Sequence, residues 1–240
     1  MTTGPPTDNS KKRATRQRRS AAGMGQDGPM PDWAEWQARA YDDPSSALRE
    51  RLRRVQGYLS QAIDRAPAGP VRLVSLCAGQ GRDVLHVVPG HPRRDDVSAV
   101  LVELDARNAE AARRRAAEAG LGRVEVRQAD ASRVAAFADA LPAGVLLLCG
   151  IFGNISDSDI ERTVTAAPAL CADGATVIWT RSRRPPDVTP RVRAWFADQG
   201  FDEIAFDTIE GETLISVGVN RLRSARPARP PEEPLFTFIS

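Results

Sequence analysis

The chain reads as an α/β protein. It is a doubly wound, mostly parallel sheet of seven strands that ends in a C-terminal antiparallel hairpin. Three observations predict this. Apolar runs alternate with helix-compatible segments five times from residue 71 onward, the pattern of strands buried on both faces and joined by crossover helices. The first run, Val71–Leu76, ends in a Gly-x-Gly turn at Gly79 and Gly81. The last two runs, 201–206 and 214–221, flank the short linker Thr208-Ile-Glu-Gly-Glu-Thr, which suits a hairpin rather than a crossover.

The elements follow in order. Residues 1–31 are rich in Gly, Pro, Ser and Arg without an apolar period, and are predicted disordered. Residues 32–66 form a helical segment placed to lid the core. Trp33, Trp36 and Tyr41 open it, Pro44-Ser45-Ser46 offers a cap, and Leu48, Leu52, Val55 and Leu59 recur at helical spacing up to about Asp64. The core is 67–222. Its strands are 71–76, 97–103, 124–127, 144–150, 174–180, 201–206 and 214–221. Its helices are 81–88, 106–119, 132–140, 156–170 and 189–199, several of them stopped by Gly or Pro. Residues 223–240 are a Pro- and Arg-rich tail with a short apolar strand or clip, Leu235–Ile239.

Composition bounds the function. At 42% hydrophobic and 27% charged, 240 residues suit one globular domain with tails. No apolar run approaches the roughly 20 residues of a membrane span, and the polar start Met-Thr-Thr-Gly-Pro-Pro predicts no secretory signal. Cys77, Cys149 and Cys171 form no metal-spaced cluster, and with His86 and His91 as the only histidines no metal site is expected. Buried thiols in a reducing cytoplasm are the expectation. The basic residues concentrate at the start: six Lys and Arg against Asp8 and Asp27 in residues 1–31. No aromatic residue interleaves them, so a solvating tail is favoured over a nucleic-acid arm.

The glycine turn carries the chemistry. A dinucleotide fingerprint needs a third glycine where Val84 stands, and a P-loop needs a lysine that is missing. Glu103 closes the second strand and Asp130 follows the third. A carboxylate accepts hydrogen bonds and donates none, so this pair fits an adenosine whose tail lies at the turn without phosphates.

The segments Ser75-Leu-Cys-Ala-Gly-Gln-Gly81, Leu101-Val-Glu-Leu-Asp105, Gln128-Ala-Asp-Ala131 and Val145–Gly150 followed by Ile-Phe-Gly-Asn resemble class I S-adenosylmethionine-dependent methyltransferases. Together with Thr180-Arg-Ser-Arg-Arg-Pro-Pro-Asp187 they look like an actinobacterial methyltransferase group. The resemblance covers roughly residues 33–221 plus the terminal clip, and it implies a Rossmann-like fold with S-adenosylmethionine as cofactor. It places Cys77, Ala78, Gly79 and Gly81 along the methionyl part and Asp83 near its ammonium or in a structural role. Glu103 would take the ribose hydroxyls, Leu104 the adenine face, and Asp130 beside Ala131 the adenine amino group. Cys149 and Gly150 would face the transferable methyl. The chain departs from the family pattern at Ser75, Cys77 and Gly144.

For the acceptor, Tyr41 and Asn154 are the candidates for orienting the substrate. Gly153-Asn154-Ile155-Ser156 replaces the Asn-Pro-Pro-Tyr type motif of many amino-group and nucleobase enzymes, which favours a small-molecule acceptor. The alternatives are an RNA methyltransferase using the basic arm and a non-catalytic S-adenosylmethionine-binding protein.

Overall fold

The computed structural model describes residues 41, 43, 46–211, 214–225 and 229–239. The predicted basic tail, Trp33 and Trp36 lie outside these residues. Helix α1 spans Ala47–Arg65; its N-cap Ser46 accepts from the Leu48 N–H, and it buries Val55, Leu59, Ala62 and Ile63. The core then runs β1 (Val71–Leu76), α2 (Val84–Gly90), β2 (Val97–Glu103), α3 (Ala106–Glu118), β3 (Val124–Gln128), β4 (Ala143–Leu148), α4 (Asp157–Leu170), β5 (Cys171–Ser182), α5 (Thr189–Asp198), β6 (Phe201–Ile209) and β7 (Ile215–Leu222).

The seven strands form one sheet in the order β3-β2-β1-β4-β5-β7-β6. Pairing is parallel from β3 through β5 and antiparallel at β5–β7 and β6–β7. This is the predicted fold class, including the terminal hairpin. Side-chain alternation divides the core into two layers. Val145 and Leu147 of β4 face α1, α2 and α3, while Leu146 and Leu148 face α4 and α5. The chain winds outward in opposite directions from β1 and β4. That reversal opens a crevice beyond their C-terminal ends, where open α/β sheets bind ligands.

Several bounds shift by a few residues, as where α2 starts at Val84 and runs through Pro89 to Gly90 and β6 continues to Ile209, and two elements differ more. Residues 132–140 are two 3₁₀ turns, 134–136 and 138–140, instead of a helix. Between them Phe137 takes φ −144° and ψ 15° and is fully buried; seating that ring in the core breaks the helical path. β5 also runs longer than its apolar stretch, because the antiparallel partner β7 carries pairing out to Ser182 and Ile215.

The terminal segment is a clip. Leu235 and Phe236 are buried. The Leu235 N–H donates to the Ser132 carbonyl, Thr237 N–H to Asp159 Oδ2 (2.8 Å) and Ile239 N–H to the Asn154 carbonyl. A bridge joins Phe238 to Ile155. The clip therefore fastens the loop that follows β4.

Candidate functional site

The site begins at the turn after β1. Cys77, Gly79 and Gly81 all take positive φ, at 53°, 56° and 65°, the left-handed region that costs a side chain about 1–2 kcal/mol. Gly81 has a second reason to be glycine. A Cβ there would stand 2.8 Å from Leu85 Cδ1 and 2.9 Å from Leu101 Cδ2. Gly79 has the opposite surroundings, with nothing within 4 Å of where its Cβ would stand. One glycine is required by packing; the other keeps a space open.

Glu103 shapes that space. It ends β2, the neighbour of β1. One carboxylate oxygen accepts from the Gly79 N–H at 2.7 Å and the other from the Asp105 N–H at 2.9 Å. A carboxylate offers about four acceptor positions, so about half remain for a ligand. Asp105 in turn caps α3 by accepting from Asn108 N–H. Asp130 lies past the tip of β3, where one oxygen accepts from Ser132 N–H at 2.9 Å and its side chain is 55% exposed. Leu104 is 66% exposed beside Glu103, and Ala131 is buried. Burial, with the charges of Glu103 and Asp130, pushes the Cys77 thiol up to about 12. Cys77, Gly79, Glu103 and Asp130 are thus gathered at one place.

A second group surrounds the end of β4. Asp83 is buried, and its Oδ1 accepts from Val84 N–H at 2.8 Å to cap α2. Burial raises its carboxyl above the ordinary range, against the opposing effect of the backbone donors and Arg51. Burial, then the charge of Asp83, pushes the Cys149 thiol up to about 12. Both thiols are accordingly protonated at neutral pH, so neither is a nucleophile. The Gly150 N–H donates to Thr180 Oγ1 at 2.9 Å, and Asn154 Nδ2 donates to the Gly150 carbonyl at 2.7 Å. Asn154 spends one of its two side-chain N–H donors on its own loop, whose backbone the clip also holds. Tyr41 stands on the other side: its hydroxyl accepts from Arg51 Nη2, and the Arg82 guanidinium lies 5.3 Å from its ring centre.

Sequence reasoning missed the parts played by several residues. Arg51 donates to Tyr41 and its charge acts on Asp83, Gln56 Nε2 donates to the Arg82 carbonyl at 2.8 Å, and Thr180 fixes Gly150. None lies in a glycine or carboxylate motif, and only the packing of α1 and β5 brings them to the turn. Arg181, in the Thr180–Asp187 segment that the sequence already marks, stands half-buried at the end of β5. Burial lowers its guanidinium, which donates to the Phe152 carbonyl, and its Nε has no partner among the described residues. Of the two histidines, His86 is exposed on α2 and His91 lies near Ser60 and Asp64, so neither belongs to this site. Among the described residues no group of three His, Cys, Asp or Glu could hold a metal ion, and no helix is long and apolar enough to cross a membrane.

The comparisons with known proteins bear on the family and the fold. Residues 19–197 match the model of a family described as "Putative methyltransferase". No curated protein matches the chain in sequence. Among solved structures, it is similar to magnesium protoporphyrin IX methyltransferase from Synechocystis PCC 6803 with bound SAH (9% identity, TM-score 0.58, 78% of this chain and 93% of that one). It is also similar to an O-methyltransferase family protein from Burkholderia thailandensis (16% identity, TM-score 0.52, 79% and 63%) and to the [4+2]-cyclase SpnF (13% identity, TM-score 0.52, 70% and 81%). At these identities the likeness is one of fold, and the cyclase is a reminder that one fold hosts different reactions.

Proposed function

Since the chain belongs to the methyltransferase family whose model spans most of it, we propose that it is an S-adenosylmethionine-dependent methyltransferase acting on a small-molecule acceptor. The observation that carries this reading is the pairing of Glu103 with the Gly79 N–H across an open space. The residues present fit the cofactor. Glu103 keeps free acceptor positions for two ribose hydroxyls, Asp130 presents an exposed carboxylate for the adenine amino group, and Leu104 offers an exposed apolar face. The turn at 77–81 would lie along the methionyl part.

When bound, S-adenosylmethionine supplies a methyl group already activated on a sulfonium. The protein's share is then placement and exclusion of water. Gly150, fixed by Thr180, and Asn154, fixed on the Gly150 carbonyl, form a rigid wall at the end of β4. Tyr41, held by Arg51 and Arg82, stands by the glycine turn. An acceptor seated between them would be oriented by the Tyr41 hydroxyl and by the Asn154 side-chain oxygen. The small-molecule class rests on the Gly153-Asn154-Ile155-Ser156 sequence in place of a nucleobase-type motif.

Isothermal titration calorimetry tests the reading. S-adenosylhomocysteine should bind the full chain, and Glu103→Ala should weaken binding by about 30-fold or more, the cost of removing a charged acceptor from a partly buried pair of hydroxyls. Absence of binding at millimolar ligand would overturn it. If the chain binds but methylates RNA, and removal of residues 1–31 abolishes this, the small-molecule acceptor is rejected while the cofactor stands.

A further inference from the structure

We propose that the chain carries a second binding site, at the opposite end of the sheet, for an amphiphilic anion: a carboxylate or phosphate on an apolar body. A cavity of about 370 Å³ opens there, between the C-terminal end of α1 and the N-terminal ends of β1, β4 and β5, within the size range of small-molecule sites. It cannot be part of the methyl-transfer site. Its walls include Arg72 at the start of β1 and Arg221 near the end of antiparallel β7, whereas Gly79 and Glu103 lie past the other ends of strands about 20 Å long.

The cavity's charge is one-sided. Arg65, Arg72 and Arg221 line it against a single carboxylate, Asp173. Asp173 is engaged, its Oδ1 accepting from the Ala225 N–H at 2.6 Å. Among the described residues, no arginine of the three is paired with an acid. Arg65 donates to Gln61 Oε1 at 3.2 Å and Arg72 to the Leu141 carbonyl at 3.3 Å. Arg221 has no hydrogen-bond or ion-pair partner among the described residues. In a chain whose arginines are otherwise widely paired with carboxylates, such as Arg127 with Glu125 and Asp139, this grouping stands apart.

The guanidinium lies along the wall beside Gly174. That residue takes φ +69°, and Arg221 Nη2 is 3.5 Å from where a Cβ would stand, an ordinary contact distance. The rest of the lining is largely apolar, with Val219 buried and Ile204 44% exposed. Guanidinium groups over an apolar floor recognise an anion at one end of a molecule and hydrocarbon at the other.

The test uses the full chain, titrated by calorimetry with octanoate and octyl phosphate, and with octanamide as the neutral control. At least one anion should bind below about 1 mM, and octanamide at least about tenfold more weakly; the two anions distinguish carboxylate from phosphate recognition. Arg221→Ala should weaken the bound anion by about tenfold or more while leaving the urea unfolding midpoint unchanged. If that midpoint falls, Arg72→Gln decides by the same criterion. The proposal is overturned if neither anion saturates by about 10 mM, if octanamide binds equally well, or if the deciding variant binds like the parent chain.

Discussion

On the β3-β2-β1 side of the sheet, the polar groups at the strand tips are paired with backbone. Glu103 holds Gly79 and Asp105, Asp105 caps α3, and Asp130 holds Ser132. On the β4-β5-β7 side, Thr180, Asn154 and Arg181 also hold backbone, at Gly150 and Phe152, but two further features appear. Arg181 Nε, Ser182 Oγ and Ser216 Oγ are buried without a partner among the described residues, and the strands are joined by close aromatic packing. Trp179 stacks on Phe196 with ring centres 6.0 Å apart and donates through Nε1 to Asn220 Oδ1 at 2.8 Å. A Cβ on Gly218, its cross-strand partner, would stand 2.1 Å from the indole. The comparison separates two ways of holding a site. One side is shaped by short-range hydrogen bonds around a glycine turn. The other is held by a large ring lying flat on a bare backbone, with unsatisfied polar atoms nearby.

The largest effect should come from breaking the second side alone. Gly218→Ala puts a methyl into the indole of fully buried Trp179, and should cost about 3 kcal/mol or more. Urea unfolding should show the loss, and near-ultraviolet circular dichroism a weakened tryptophan signal; an unchanged midpoint would mean that the ring is not seated there.

The first side should respond more mildly and in a way that separates its two glycines. Gly79→Ala and Gly81→Ala each bear the left-handed strain of about 1–2 kcal/mol. Gly81→Ala also crowds Leu85 and Leu101, so it should lose more stability. Gly79→Ala should instead lose about tenfold in S-adenosylhomocysteine affinity, because its methyl enters the open space beside Glu103. Equal stability losses with equal affinities would erase the distinction between packing glycine and ligand glycine.

The last effect is read against pH and concerns the thiols on both sides. Cys77, Cys149 and Cys171 are all pushed from 9.0 up to about 12, chiefly by burial. The native chain should therefore resist iodoacetamide at about pH 8. The sign of the pH dependence follows. Above 9.0 the unfolded thiols lose protons that the folded state keeps, so this stability is fully present below 9.0 and disappears as pH rises through about 12. Urea midpoints should fall across that window, and fall less in Cys171→Ala. An equal fall in both proteins would assign the pH dependence to other groups.

Much of this was legible in the sequence. The strands β2 and β4 are nearly continuous apolar runs, and β1 departs from one only at the exposed Arg72 and at Ser75, the pattern of strands buried on both faces. The glycine turn announced left-handed backbone, and the position of Glu103 at the end of the next run put a carboxylate beside it. The segment 132–140 was misread because its alanines suit a helix, while the burial of Phe137 depends on residues far away in the chain. Gly218 looked like any glycine in a strand. Its necessity comes from Trp179 on another strand, dozens of residues earlier.

The sequence by itself determined what is local. Side-chain period, left-handed turn positions and helix caps such as Ser46 and Asp105 all follow from neighbours within a few residues. Only the tertiary structure decided that Arg51 holds Tyr41, that Thr180 fixes Gly150, that Trp179 lies on Gly218, and that Arg65, Arg72 and Arg221 share one cavity. These contacts link elements distant in the chain. Their partners are chosen by close packing, which no local pattern of residue types encodes.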